Sequence, residues 1–61
     1  MERIEWRNAI IDSVMEKADC TKAEAERMVS NFEETVVQNE FDGNNTDEDV
    51  DYAACEIVYY S

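Results

Sequence analysis

A small all-α domain of three helices is the fold this sequence predicts, and three observations carry the prediction. Proline is absent and glycine occurs once, at Gly43. That punctuation is too sparse for the frequent tight turns of a β protein. Two stretches repeat apolar residues every three to four positions, the period of a helix face. Between them, Thr21-Lys22-Ala23-Glu24 spells a capping box, the usual start of a second helix. The chain has 61 residues, fewer than the roughly 100–200 of a typical domain, so residues 1–61 are read as one unit. So short a chain buries only about 60% of its unfolded surface, and its core is small.

The first helix is expected from about Glu2 to Ala18. Its apolar face is read as Ile4, Ile11, Val14 and Ala18, flanked by Trp6, Ile10 and Met15. Asp19-Cys20 then interrupts the pattern. In the capping box, the Thr21 hydroxyl accepts from the Glu24 N–H, and the Glu24 carboxylate accepts from the Thr21 N–H. The second helix is expected from about Lys22 to Asn39, with Ala25, Met28, Val29, Phe32 and Val36 on its apolar stripe and Val37 beside it. Two helices joined by a short turn make an antiparallel hairpin.

Residues 39–45 (Asn-Glu-Phe-Asp-Gly-Asn-Asn) read as a loop, because Gly43 and the two Asn tolerate positive φ. The third element reads two ways. Thr46 is placed to cap a helix whose first turn, Asp47-Glu48-Asp49, suits the positive end of the helix dipole. Val50, Ala53, Ala54, Ile57 and Val58 then share one face. Against this, Glu56-Ile57-Val58-Tyr59-Tyr60 is β-branched and aromatic, which favours a strand. Helix is the reading adopted, because Ala53-Ala54-Cys55 suits a strand poorly and no partner strand is evident.

Charge dominates the functional reading. Sixteen acids stand against five bases, a formal −11 at pH 7. Residues 1–40 hold ten of the acids and all five bases; residues 41–61 hold six acids and no base. A chain without a basic footprint is not expected to bind nucleic acid directly, nor an anionic membrane surface. No apolar run reaches the roughly 18 residues of a membrane span. The opening Met1-Glu2-Arg3-Ile4-Glu5-Trp6 lacks the basic-then-apolar layout of a secretion signal. A cytoplasmic protein is expected, in the host cytoplasm if a phage encodes it.

Chemistry at a site is not expected. With no histidine there is no histidine-based triad, proton shuttle or imidazole metal site. Calcium loops beginning at Asp42 or Asp47 both lack the required glycine at position six and glutamate at position twelve. Cys20 and Cys55 are too few for a zinc site or a disulfide scaffold, so Cys20 is placed in a turn and Cys55 on or near the core. Carboxylates abound, but a general acid needs a pocket that raises its pKa, and no nucleophile has a base nearby. No cofactor and no enzymatic activity are expected. Asn44-Asn45-Thr46 matches the glycosylation pattern by chance.

The acids themselves are the remaining candidate. Asp42, Asp47, Glu48, Asp49 and Asp51 are the expected partner-binding residues, with Glu33, Glu34 and Glu40 in support. Carboxylates one helical turn apart lie about 5–6 Å from each other. Phosphates along a nucleic-acid strand lie roughly 7 Å apart. An ordinary acidic run is only a solvated face, but here the last third has no counter-charge. The expectation is a small inhibitor that mimics nucleic acid and occupies the groove of a basic DNA-binding protein, as phages and mobile elements encode. Its target would be a nucleoid protein, a nuclease or a CRISPR or restriction component.

The hairpin also carries a resemblance. Ile11, Asp12, Val14, Glu16, Lys17, Ala18, Asp19, Thr21, Lys22 and Ala25, followed by Val29, Phe32 and Val36, resemble the N-terminal helix-turn-helix of the bacterial histone-like HU/IHF family over about residues 8–37. In that family the hairpin serves dimerisation, while a sheet and basic arms grip DNA. Nothing in this sequence corresponds to the sheet or arms, so the resemblance implies a dimerisation hairpin at most. It suggests one alternative to the inhibitor, a dominant-negative partner of an HU-like protein that pairs through Met28, Phe32 and Val36. The other alternative is a small helical adaptor or homodimerisation module whose working surface is an exposed patch at Trp6, Tyr59 or Tyr60.

Overall fold

The computed structural model describes all 61 residues and is helical throughout its regular structure. The chain forms α1 (Arg3–Ala18), α2 (Lys22–Asn31), a π-helical segment (Glu33–Gln38) and α3 (Asp47–Tyr60). The C-terminal segment is therefore a helix and not a strand. Thr46 starts it: its hydroxyl accepts from the Asp49 N–H at 3.3 Å, and the Asp49 carboxylate accepts from the Thr46 N–H at 3.0 Å. The predicted box at Thr21 and Glu24 forms in the same way, at 3.2 and 3.1 Å.

α1 and α2 form the expected hairpin, and α3 lies chiefly along α1. One core joins them: Trp6, Ile10, Ile11 and Val14 of α1, Ala25 and Val29 of α2, Val36 and Val37, and Val50, Ala53, Ala54 and Ile57 of α3. The small residues Ala25, Ala53 and Ala54 let the helices approach closely, and Trp6 is the largest fully buried side chain between them.

Three expectations are corrected, two about side chains and one about the backbone. Ile4 is 62% exposed. The buried stripe of α1 runs Trp6, Ile10, Val14 at four-residue steps, and a residue two positions before Trp6 points away from it. Cys55 is exposed, because it stands opposite the buried 50, 53, 54, 57 face of α3. The second helix does not run unbroken to Asn39. At Phe32 the backbone leaves helical geometry (φ −115°, ψ 23°), and the Val37 N–H bonds to the Phe32 carbonyl five residues back. That extra residue per turn rotates the chain so that Val36 and Val37 both reach the core.

The hairpin turn is made at Asp19, in the left-handed region (φ 52°, ψ 51°). The N–H groups of Asp19 and Cys20 both close onto the Met15 carbonyl, a helix stop that usually employs glycine. The second connection is tied by Asn45, a buried polar residue. Its side-chain oxygen accepts from the Asp42 N–H and its amide nitrogen donates to the Glu40 carbonyl. Gly43 takes the other positive φ, 83°, as its lack of a Cβ allows. No helix is long and apolar enough to cross a membrane.

Candidate functional site

Of the sixteen carboxylate side chains, thirteen are exposed and three, Glu33, Glu40 and Glu56, are half-buried. Only two enter an ion pair. The Arg7 Nε donates to Glu33 at 2.9 Å, and Lys17 at the end of α1 is held by Asp51 of α3. The Asp51 hydrogen bond raises the Lys17 pKa above its usual value. The last third of the chain thus receives one counter-charge from the first, through a pairing that its own sequence does not contain.

The expected carboxylates fall into two groups. Asp42, Asp47, Glu48, Asp49 and Asp51 lie on the loop and the first turns of α3, all exposed. Several are oriented by local bonds. Asp42 accepts from the Asn44 N–H at 2.8 Å, Asp49 completes the Thr46 cap, and Asp51 holds Lys17. Glu33 and Glu34 lie apart from these, at the start of the π-helical segment, and Glu33 is taken by Arg7.

Glu40 occupies a third environment. It is half-buried in a shallow 260 Å³ cleft between the loop and α3, lined by Trp6, Asp42, Asn45, Asp49 and Tyr52. Loss of solvent, then the facing Glu56 carboxyl and Asp49, raise its pKa to about 7. One oxygen of Glu56 is buried and has no hydrogen-bond partner. A proton on Glu40 supplies a donor to that carboxylate. Near neutral pH, Glu40 is therefore only partly charged.

The residues assigned to dimerisation are placed differently from one another. Val36 is 5% exposed, inside this chain's own core. Met28 and Phe32 are half-buried and pack against that core.

Of the aromatic patch expected at Trp6, Tyr59 and Tyr60, Trp6 is fully buried in the core, whereas the two tyrosines are exposed on the outer face of α3. Glu48, Tyr52, Cys55 and Tyr59 follow one another at helical steps on the side opposite the core. Tyr52, Tyr59 and Tyr60 are 66%, 80% and 69% exposed. With Lys17, Glu56 and Val58 they line an open 660 Å³ groove. The Tyr59 and Tyr60 rings meet edge to face with centroids 4.9 Å apart. The signal was in the sequence: once 50, 53, 54 and 57 are the buried face, positions 52, 55 and 59 must point outward. Nowhere do three or more Cys, Asp or Glu side chains converge in a way that could hold a metal ion.

No family model, no curated protein and no solved structure matches this chain.

Proposed function

We propose that this protein is a small acidic antagonist that binds a basic DNA-binding protein in place of DNA. The observation that supports the reading most is the state of its carboxylates: thirteen of sixteen are exposed, and two in all are neutralised by a base. The cluster of Asp47, Glu48, Asp49 and Asp51 sits at one end of α3, with Asp42 on the preceding loop. An array of this kind steers a cationic partner from a distance and competes with phosphate for its lysines and arginines.

Placement matters as much as charge. Flexible carboxylates lose rotamer freedom when they bind, at a cost of about 0.5–1.5 kcal/mol for each immobilised side chain. Asp42, Asp49 and Asp51 are already ordered by Asn44, Thr46 and Lys17. Their ordering is part of folding, so less remains to be lost at an interface.

The experiment is a competition. A nucleoid protein, a nuclease and a CRISPR effector are each loaded with labelled duplex DNA, and the protein is titrated in at several salt concentrations. The expected result is release of DNA from one of them, weaker as salt rises. Retention of DNA by all three, or release insensitive to salt, contradicts the proposal.

A further inference from the structure

We propose that the tyrosine groove on the outer face of α3 is where an arginine-bearing segment of the partner docks, its guanidinium groups stacked on Tyr52 and Tyr59 and paired with the carboxylates around them. This inference rests on the acidic-antagonist reading and names the chemistry that its partner presents.

The groove is an exposed apolar surface that nothing in this chain covers. Tyr52, Tyr59 and Tyr60 hold three rings in the open on one short helix, and the edge-to-face contact of the last two fixes their relative orientation. What surrounds the rings decides what can cover them. Glu48 precedes Tyr52 by one turn, Asp51 adjoins it, and Glu56 lines the groove between Tyr52 and Tyr59. Lys17 is the one base at its edge, and Asp51 already holds it. A second copy of this chain carries the same formal −11 over its whole length, which opposes self-association through this acid-flanked face. A purely apolar partner leaves the flanking carboxylates to be desolvated without compensation.

A cation satisfies both features, and arginine satisfies them better than lysine. Its guanidinium is planar, stacks on an aromatic face and still presents a fork of donors to a carboxylate. The ammonium of lysine is a strongly hydrated point charge that pairs with the acid but gains less from the ring. The molecule makes one such contact within itself, where the Arg3 guanidinium lies 4.9 Å from the centroid of the Phe41 ring. In the antagonist reading, the carboxylates take the place of phosphates and the tyrosine rings the place of bases. Proteins that grip single strands likewise combine a cationic track with stacking.

Oligo-arginine and oligo-lysine peptides of equal length and charge are titrated against the full chain, with Tyr52→Leu/Tyr59→Leu as the test variant. Leucine keeps helix propensity and apolar character, and circular dichroism confirms the fold. The expected result is that the arginine peptide binds about five- to tenfold more tightly than the lysine peptide, from about two stacking contacts. In the variant the two peptides should bind within about twofold of each other, the stacking contribution being gone. Equal, salt-sensitive binding of both peptides to the wild-type chain overturns the inference and leaves the acidic reading standing. An arginine preference that survives in the variant overturns it as well. Binding of neither peptide overturns both. A stable dimer in sedimentation that the tyrosine substitutions dissociate assigns the groove to a second copy and also overturns the inference.

Discussion

The indole Nε1 of Trp6 donates to the main-chain carbonyl of Val37 at 2.8 Å, a buried bond across 31 residues of chain. The last carbonyls of a helical segment have no partner within it, and here a side chain from the opposite helix supplies one. The π-helical register of Glu33–Gln38 presents that carbonyl to α1 while placing Val36 and Val37 in the core. Trp6→Phe keeps most of the ring and removes the donor. The expected loss is about 1–3 kcal/mol, the cost of leaving a buried acceptor unpaired. Urea denaturation measures it, and an unchanged midpoint would show that water or another donor reaches Val37 in the variant.

Asp19 places an acid in left-handed geometry at the carboxyl end of α1. Both features are unfavourable: the conformation suits glycine, and the helix dipole disfavours a negative charge at that end. Asp19→Gly is expected to stabilise the fold by about 1 kcal/mol. In a domain this small the melting temperature should rise by roughly 4–8 °C. A fall on thermal melting would assign Asp19 a role that its local geometry does not show.

The Glu40–Glu56 pair predicts a pH dependence with a definite sign. The folded pKa of Glu40 is raised to about 7, whereas in the unfolded chain it is that of an ordinary glutamate, about 4.3. Between these values the folded protein holds a proton that the unfolded chain has released. The contribution of this site is fully present at lower pH, falls as pH rises through the interval, and is gone above about pH 7. Glu40→Gln keeps a donor toward Glu56 and cannot ionise. Its advantage over wild type should grow from near zero at about pH 4 to on the order of 1–3 kcal/mol at about pH 8. Acids that do not face Glu40 are common to both proteins and cancel, so an advantage constant with pH contradicts the assignment.

Thr46 both starts α3 and orders the acids of its first turn. Thr46→Ala is expected to cost about 1 kcal/mol and to fray residues 47–49, which amide hydrogen exchange detects. Unchanged protection there would mean that packing of Val50 alone holds the turn.

The legible part of this fold is its local part. Thr21 and Thr46 announce their helices, and the spacing of Ala25, Val29, Val50, Ala53, Ala54 and Ile57 assigns the buried faces correctly. The strand-like composition of residues 56–60 misleads only when read without the alanines before it. What the sequence hides depends on distant contacts. The break at Phe32 follows from a core shared with Trp6 and Val37, and the exposure of Ile4 follows from Trp6 taking the inward position. The candidate acids were legible as exposed charge. Their distant partners were less so: the Lys17–Asp51 pair joins two helices, and the half-burial of Glu40 arises only when the loop folds back on α3.

In the proposed function, the exposed carboxylates at the start of α3 bind a cationic partner. The most direct measurement of that binding is the salt dependence of Kd for the basic protein released from DNA in the competition. The wild-type chain is compared with Asp47→Asn/Glu48→Gln/Asp49→Asn/Asp51→Asn, whose uncharged side chains keep the shape and most of the caps. Wild-type affinity should fall at least about tenfold between about 50 and 200 mM salt, and the variant should bind more weakly with a shallower salt slope. Affinity unchanged by the four substitutions, in a variant that remains folded, would contradict the proposed function.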